Sequence, residues 1–513
     1  MKNFSLISLY HIKNLGVRSI HAFLKSKGYN SNLIFFKHSY FNNAVAPTDM
    51  ELTQLTGVLK KSETSLVGIS VSCSAYLETA KVITTAIKEA LNIPVLWGGV
   101  HATVDPEGCI QYADMLCLGE GEYPMLELLD GMESQKDIKN IRNLWFNQEG
   151  GSSSGSTVIR NPLRPLINDL SSLPLPDYSN DNKYYINKDK LYEGDPIHLD
   201  CWDYFVQGTR GCPYSCTYCS NSLFKEMYRD HGKYIRQRSP EHVINELIQA
   251  KASLKGLKMI TFFDEVFGVN KKWIEGFCQQ YKEKGLNLPF SCYLHPLAVR
   301  DDTLKMLKGA GVSLIGVGIQ SGSERVRGNI FKRPESNKQI IEAAATIRKH
   351  KIPLVLDLIM DNPFESHEDK DETLNLLLNI PKPFKLSLYS LIYFPKTGLT
   401  EMALKQGLIT PDDIEDKRQR VLSQFRVTLG YEREKWDTAW ISLLILSGTP
   451  WIPRQLVSFL ARRGFLRLYP YPLVILVNIT KGAGWIQKAV QMAISGQITS
   501  SLIKRFIVRG KNK

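Results

Sequence analysis

Acidic residues stop at Asp437: the 76 residues that follow hold eleven Lys and Arg and no Asp or Glu. The tail therefore carries +11 of the net +13, leaving only +2 for the rest of the chain. So nearly neutral a body lacks the basic footprint of a nucleic-acid binder, and the tail is too apolar for an arm that tracks phosphates. Cysteine is scarce as well. Nine in 513 residues, an odd number mostly scattered apart, make no disulfide framework. Thiols kept free in this way point to a reducing cytosol. The opening "MKNFSLISLYHIKNLG" has no cleavable signal pattern and reads as a strand running into a helix. No apolar run reaches the ~20 residues of a membrane-spanning helix.

What is present is a globular composition, 43% hydrophobic and 22% charged, in a chain too long for one ordinary core. Residues 1–135 alternate short apolar strands ("FSLISLY", "NLIFFKH", "SLVGISVS", "IPVLWGG", "MLCLGE") with helical spacing such as Ile20, Phe23 and Leu24. That alternation predicts an α/β, doubly wound (Rossmann-like) sheet, with ligands at the carboxyl ends of its strands. Residues 136–200 read as a connector with a hairpin around a Gly/Ser turn, then Pro-punctuated chain. From 201 to 395 six β/α units recur, predicting a partial (β/α)6 barrel with its site on the C-terminal rim. Residues 396–513 read as a helical C-terminal region.

In "GTRGCPYSCTYCSNS", Cys212, Cys216 and Cys219 follow the first barrel strand directly. A structural zinc site would need a fourth protein ligand, and Cys201, eleven residues upstream, is the nearest candidate. Closely spaced thiolates in a loop also suit an iron–sulfur cluster.

The run "RGCPYSCTYC" resembles the signature of the radical S-adenosylmethionine (SAM) superfamily. That resemblance implies a 4Fe–4S cluster on Cys212, Cys216 and Cys219, its fourth iron left for SAM. Electron transfer into the bound sulfonium would then release a 5′-deoxyadenosyl radical. "YIRQRSPEHVINEL", "ITFFDEVFGVN" and "GVGIQSGSERV" resemble later superfamily segments in the same order. They imply SAM-binding roles for Tyr218, Asp264, Glu265, Gln320, Ser321 and Gly322, with Gln320 where the commonest relatives have Glu. Read singly, the two acids could be helix caps and the glycines a tight turn. "LIMDNPFES" departs from the usual pattern at Asp361 and Phe364, and Lys396 stands where Gly is usual.

"VLWGGVHATVDPEGCIQYADMLCLGEGEYP" resembles the cobalamin-binding domain that precedes many radical SAM barrels. The implied cobalamin-binding residues are Gly98, Gly99, His101, Gly119, Glu120 and Gly121, with Ser70 and Ser72 at another strand end. Glycines let the backbone approach a bulky ligand closely. The Asp-x-His-x-x-Gly motif that ligates cobalt elsewhere is absent; His11 lies near its place, with Leu9 and Asn14 for the Asp and Gly. The resemblance covers residues 1–395.

In the tail, Ile452, Leu456, Phe459 and Leu460 fall at the spacing of one helical face, with Arg454, Arg462 and Arg463 nearby. Trp440, Trp451 and Trp485 are rings that suit a bilayer interface. Three readings stand: an interfacial region on anionic lipid, a cap over the barrel, and a partner-docking surface.

The leading expectation is a cobalamin-dependent radical SAM methyltransferase acting on an unactivated carbon of a lipid-like or secondary-metabolite substrate. The alternatives are a cyclase or oxidative rearrangement enzyme of the same architecture, and a non-enzymatic corrinoid or iron–sulfur sensor. A flavodoxin or ferredoxin would be the reductant. The expected location is cytoplasmic, with the tail arguing for the inner face of the membrane. A methylthiotransferase is disfavoured, since neither its extra cysteine-bearing domain nor an RNA-binding tail is recognisable.

Overall fold

β1 (Asn3–Leu9) is buried over six of its seven residues, which is what a strand covered by helices on both faces requires. It lies mid-sheet between β2 (Ser31–Phe36) and β3 (Thr64–Ser70), parallel to both. β4 (Val95–Gly98) and β5 (Met115–Cys117) extend the sheet beyond β3. The chain leaves β1 for one side and returns on the other, so the carboxyl ends of β1 and β3 form a topological switch point, where such sheets bind ligands. The structure is a computed structural model, and it describes residues 3–38, 45–148, 157–415, 433–480 and 482.

Residues read as a connector complete this first sheet. β6 (Leu144–Asn147) and β7 (Val158–Arg160) add an antiparallel pair beside β5, while β8 (Lys183–Asn187) and β9 (Lys190–Glu193) close the opposite edge. The result is a nine-stranded sheet in the order β7-β6-β5-β4-β3-β1-β2-β8-β9.

The second sheet is a six-stranded parallel one: β10 (Asp203–Val206), then a small clip of β11 (Thr209–Arg210) with β12 (Arg236–Gln237), then β13 (Met259–Phe262), β14 (Phe290–Leu294), β15 (Val312–Gln320), β16 (Leu354–Met360) and β17 (Lys385–Ser390). Its strands pair in sequence order, as a partial barrel demands. The helix Lys271–Glu283 shows why the elements pack: Trp273, Phe277 and Tyr281 recur at i, i+4 and turn inward onto Phe262 and Phe290. Burying each such ring stabilises the fold by about 1.5–3 kcal/mol.

The C-terminal region corrects part of the interfacial reading. Trp440 is 3% exposed and donates its indole N–H to the Lys370 carbonyl (2.8 Å), so it belongs to the barrel core. The run "WISLLILSG" forms most of the helix Lys435–Gly448, which packs on the helix His367–Asn379. Ile452 is buried and precedes the helix Arg454–Ala461, on which Leu456 and Phe459 are exposed; the four residues do not share one face. Trp451 is 51% exposed. Trp485 lies outside the described residues. Among those residues no helix is long and apolar enough to cross a membrane.

Candidate active site

The β11–β12 clip pins both ends of the cysteine loop. Gly211, at φ +92°, passes so close to the Tyr234 carbonyl that any side chain would collide with it. Within the loop Cys219 N donates to Cys216 O (3.1 Å), and the helix Ser220–Met227 starts at once. Thr217 fixes the loop from outside: its hydroxyl donates to Ile330 O (2.6 Å), its N–H to Phe331 O (3.2 Å), and its carbonyl accepts from Leu399 N (3.0 Å). Lys225 donates to Pro213 O (2.8 Å).

The three thiols sense one another electrostatically. Burial pushes Cys212 up to about 11, and the neighbouring Cys216 and Cys219 add to the rise. Cys219 is raised likewise, chiefly by burial and then by Cys216. Thiols raised in this way, Cys212 and Cys219, favour the protonated form until a metal binds, which deprotonates coordinating thiols outright. Arg333 supplies positive charge beside it: one guanidinium N–H reaches Cys216 Sγ (3.9 Å) and Tyr218 Oη (3.3 Å), while Glu335 (2.6 Å) and the Gly318 carbonyl (2.6 Å) hold the guanidinium. Tyr214, inside the loop, stacks on His295 with ring centroids 3.8 Å apart. Cys201 hydrogen-bonds His198 O (3.8 Å) instead of joining the set. Among the described residues no three Cys, His, Asp or Glu side chains converge closely enough for one ion. The donor chemistry fits a cluster that takes one thiolate per iron.

The other residues assigned to SAM fall into two groups. Glu265 lines a cavity on the barrel rim. Asp264 points inward, accepting from Gly208 N (3.2 Å), and burial pushes its carboxyl up to about 7. Gln320 ends β15 at φ +63° and folds its amide back over Gly318. The Ser321 side chain is buried against Glu365 (3.0 Å) and Thr373 (3.5 Å). Gly322 abuts the Thr373 backbone with no room for a β-carbon. Tyr218 is half-buried, edge-on to Phe331. The Ser321 side chain and the Gly322 backbone, whose N–H donates to Thr373 Oγ1 (2.8 Å), thus hold the turn, while Glu265 faces open space.

That space is a cavity of about 380 Å³ between the two sheets. One wall comes from the first sheet's switch point and the adjoining loops: Ser70, Gly98, Gly99, Gly119, Glu120 and Gly121 all line it. Gly99, at φ +97°, lies against the Val71 carbonyl, and a β-carbon on Gly121 would press on Ile20. The glycines thus let the backbone of this wall pack closely against its own neighbours, where side chains would collide, and they leave a wall of bare backbone on the cavity, which fits a bulky flat ligand such as a corrinoid. Two assigned residues lie elsewhere. His101 is buried with Nδ1 on Ser74 Oγ (3.0 Å), committed to the packing of its own domain, and Ser72 is not part of the lining. His11 is also absent from the lining, and burial first, then nearby His38, Lys13 and Arg18, lowers its imidazole to about 4.

The opposite wall holds residues that sequence reading missed: Tyr204, Gln207, Arg210, Tyr234, Arg238 and Glu246. Tyr204 donates to Glu246 (2.5 Å), which also pairs with Arg238 (2.5 Å). Glu120 and Glu122 are engaged by this wall: Arg210 bridges them (2.9 and 2.7 Å), and Arg236 meets Glu120 (2.9 Å). The segment "YIRQRS" carried Arg236 and Arg238 in view, but no spacing rule links them to "GEGE" more than a hundred residues earlier.

Residues 206–377 match the Radical SAM superfamily, and residues 8–129 match the B12 binding domain. An uncharacterized methyltransferase of Pyrococcus horikoshii is 28% identical over 364 residues, 70% of this chain and 74% of that protein. The anaerobic magnesium-protoporphyrin IX monomethyl ester cyclase of Synechocystis is 24% identical over 332 residues, 63% of this chain and 61% of the cyclase. Among solved structures, the radical S-adenosylmethionine methyltransferase TsrM from Kitasatospora setae, with cobalamin and a 4Fe–4S cluster bound, has a TM-score of 0.62 at 16% identity. It is matched over 79% of this chain and 78% of TsrM, and at that identity the likeness is one of fold.

Proposed function

The chain belongs to the radical SAM superfamily and carries a B12 binding domain ahead of its radical SAM domain, and from that premise we propose a cobalamin-dependent methyltransferase acting on an unactivated carbon. One observation carries the reading. A single cavity runs from the glycine cradle of the first sheet to Gly211, Asn221 and Glu265 beside the cysteine loop. A methyl donor and a radical generator that act on one substrate need such a shared chamber.

Cys212, Cys216 and Cys219 would hold the cluster, and Gly98, Gly99, Gly119 and Gly121 would seat the corrinoid. When bound, the cluster delivers the electron that cleaves SAM to a 5′-deoxyadenosyl radical, and the corrinoid supplies the methyl group. The chain's own residues do the rest. Arg333 puts fixed positive charge beside a cluster thiolate, Glu120 is locked so that the cradle keeps its shape, and Phe205 with the 166–176 segment (Leu166, Leu170, Leu173) gives the chamber an apolar lining. A dry chamber protects a reactive radical from side reactions with solvent. The substrate is a small molecule or a lipid-like one, and a flavodoxin or ferredoxin supplies the electron. A peripheral position on the inner face of the membrane suits the lipid-like case, supported by the acid-free tail.

The likeness to a cyclase favours one second reading, the same radical chemistry without methyl transfer. The test uses anaerobically reconstituted full-length chain with cobalamin, SAM and a strong reductant, quantifying S-adenosylhomocysteine and 5′-deoxyadenosine. The methyltransferase predicts S-adenosylhomocysteine that depends on cobalamin. Cobalamin binding with 5′-deoxyadenosine alone would replace it by the cyclase-like reading, and neither product would favour the sensor.

A further inference from the structure

The C-terminal helices are apolar on two sides, and the barrel uses only one. Val457, Leu466, Leu473 and Val477 point inward and join the main core, anchoring the helices Arg454–Ala461 and Gly464–Leu468 and the helical segment 471–480. A helix that merely caps a barrel presents a polar face to water. Here the outward positions are Phe459, Phe465, Leu468, Ile475 and Ile479, all more than half exposed, with Trp451 beside them. Scattered exposed apolar residues need no explanation, but this many within thirty residues of chain do.

Charge narrows the occupant. From residue 438 to 480 the described chain has four Arg and no acid. Two are already engaged: Arg454 donates to Ile380 O (2.6 Å), and Arg467 pairs with the partly exposed Asp371 (2.9 Å). Arg462 and Arg463 remain exposed among the apolar positions, and Arg463 lies over the Phe459 ring at 4.1 Å. Exposed apolar rings interleaved with cations on a stretch of chain free of acid match a leaflet with a hydrocarbon interior and anionic headgroups. A protein partner would be met by mixed charge at the rim. We propose that this face docks the enzyme on an anionic lipid bilayer. The inference does not rest on the methyltransferase reading, because docking needs no cofactor.

The experiment is co-sedimentation of the full-length chain with vesicles of phosphatidylcholine plus phosphatidylglycerol, against phosphatidylcholine alone, with Lys338→Glu, a surface change on the barrel, as control. Docking predicts binding to the anionic vesicles that weakens with salt and falls by on the order of tenfold in the R462E/R463E double variant. Phe459→Ser with Phe465→Ser should abolish it at any salt, with circular dichroism unchanged because both side chains face outward. Absence of binding to either vesicle would overturn the proposal. So would equal binding of the two vesicle types, or retention of wild-type binding by both double variants. Light scattering separates a second copy of the chain: a dimer that dissociates on the Phe459 and Phe465 changes, without lipid binding, would also overturn it.

Discussion

Glu120 of the first sheet's loop and Arg236 of the barrel's clip meet at 2.9 Å across the boundary between the two sheets. Burial would raise the Glu120 carboxyl, but Arg210 and then Arg236 more than offset it and hold it below its usual range. The Ile167 N–H completes the site (3.0 Å). Because Arg210 directly precedes Gly211 and Cys212, the clamp ties the glycine-lined wall of the cavity to the cysteine loop. Arg236→Gln leaves the buried carboxylate with Arg210 and the Ile167 N–H but short of one charged partner, so a loss of about 1–3 kcal/mol is expected in urea unfolding. Glu120→Gln combined with Arg236→Gln should cost less than the two single changes added together. The pair's contribution is present above the ordinary carboxylate range and lost as pH falls through the depressed value. Additive single losses would sink the idea of direct coupling.

The thiols have distinct expected behaviour. Alanine at Cys212, Cys216 or Cys219 should take reconstituted iron from about four per chain to background and abolish 5′-deoxyadenosine formation. Cys201→Ala should retain both, since its thiol hydrogen-bonds His198 O at 3.8 Å. Iron analysis and anaerobic absorbance spectra decide the matter; a Cys201 variant that lost metal would return the structural-zinc reading.

At Gly119 the backbone has φ +70° and the Tyr228 hydroxyl occupies the space a β-carbon would take. Gly119→Ala therefore combines left-handed strain with overpacking, a loss of about 1–3 kcal/mol. Tyr228→Phe in the same chain should recover the overpacking part alone. Thermal melts of the two variants check this, together with cobalamin retention on a desalting column. A Gly119→Ala chain as stable as the parent would remove the steric argument.

The α/β alternation and the helix faces were legible because their signals are local: Phe262 and Phe290 lie in apolar runs, and Trp273, Phe277 and Tyr281 keep strict helical spacing. The cysteine loop was legible for the same reason. What could not be read is which surface meets which. Trp440 and Trp451 are alike by composition, yet one fills the barrel core and the other faces out, because hydropathy does not say where an apolar face docks. His101 follows glycines that line the cavity, but the short helix Val100–Val104 after β4 carries its side chain to Ser74 instead. The Glu120–Arg236 pair joins residues 116 apart, a relation set by tertiary packing.

Asp264 gives the sharpest pH test. Its carboxyl is fully enclosed, and burial outweighs the hydrogen bonds from Gly208 and Thr209, so it titrates at about 7 in the fold against 3.8 in the unfolded chain. The folded state therefore binds more protons than the unfolded one between those values, and stability must fall as pH rises through the interval. Below about 4 both states are protonated and the penalty vanishes; above about 7 it is complete. At about 1.4 kcal/mol for each tenfold change in proton affinity, the full effect is on the order of 4 kcal/mol. Asp264→Asn keeps an acceptor for the Gly208 N–H but cannot ionise. It should match the parent near pH 4, exceed it increasingly toward pH 7, and flatten that part of the stability profile. Urea midpoints measured from pH 4 to 8 on both chains test this. Parallel profiles would mean that Asp264 is ionised throughout and held by groups beyond Gly208 and Thr209.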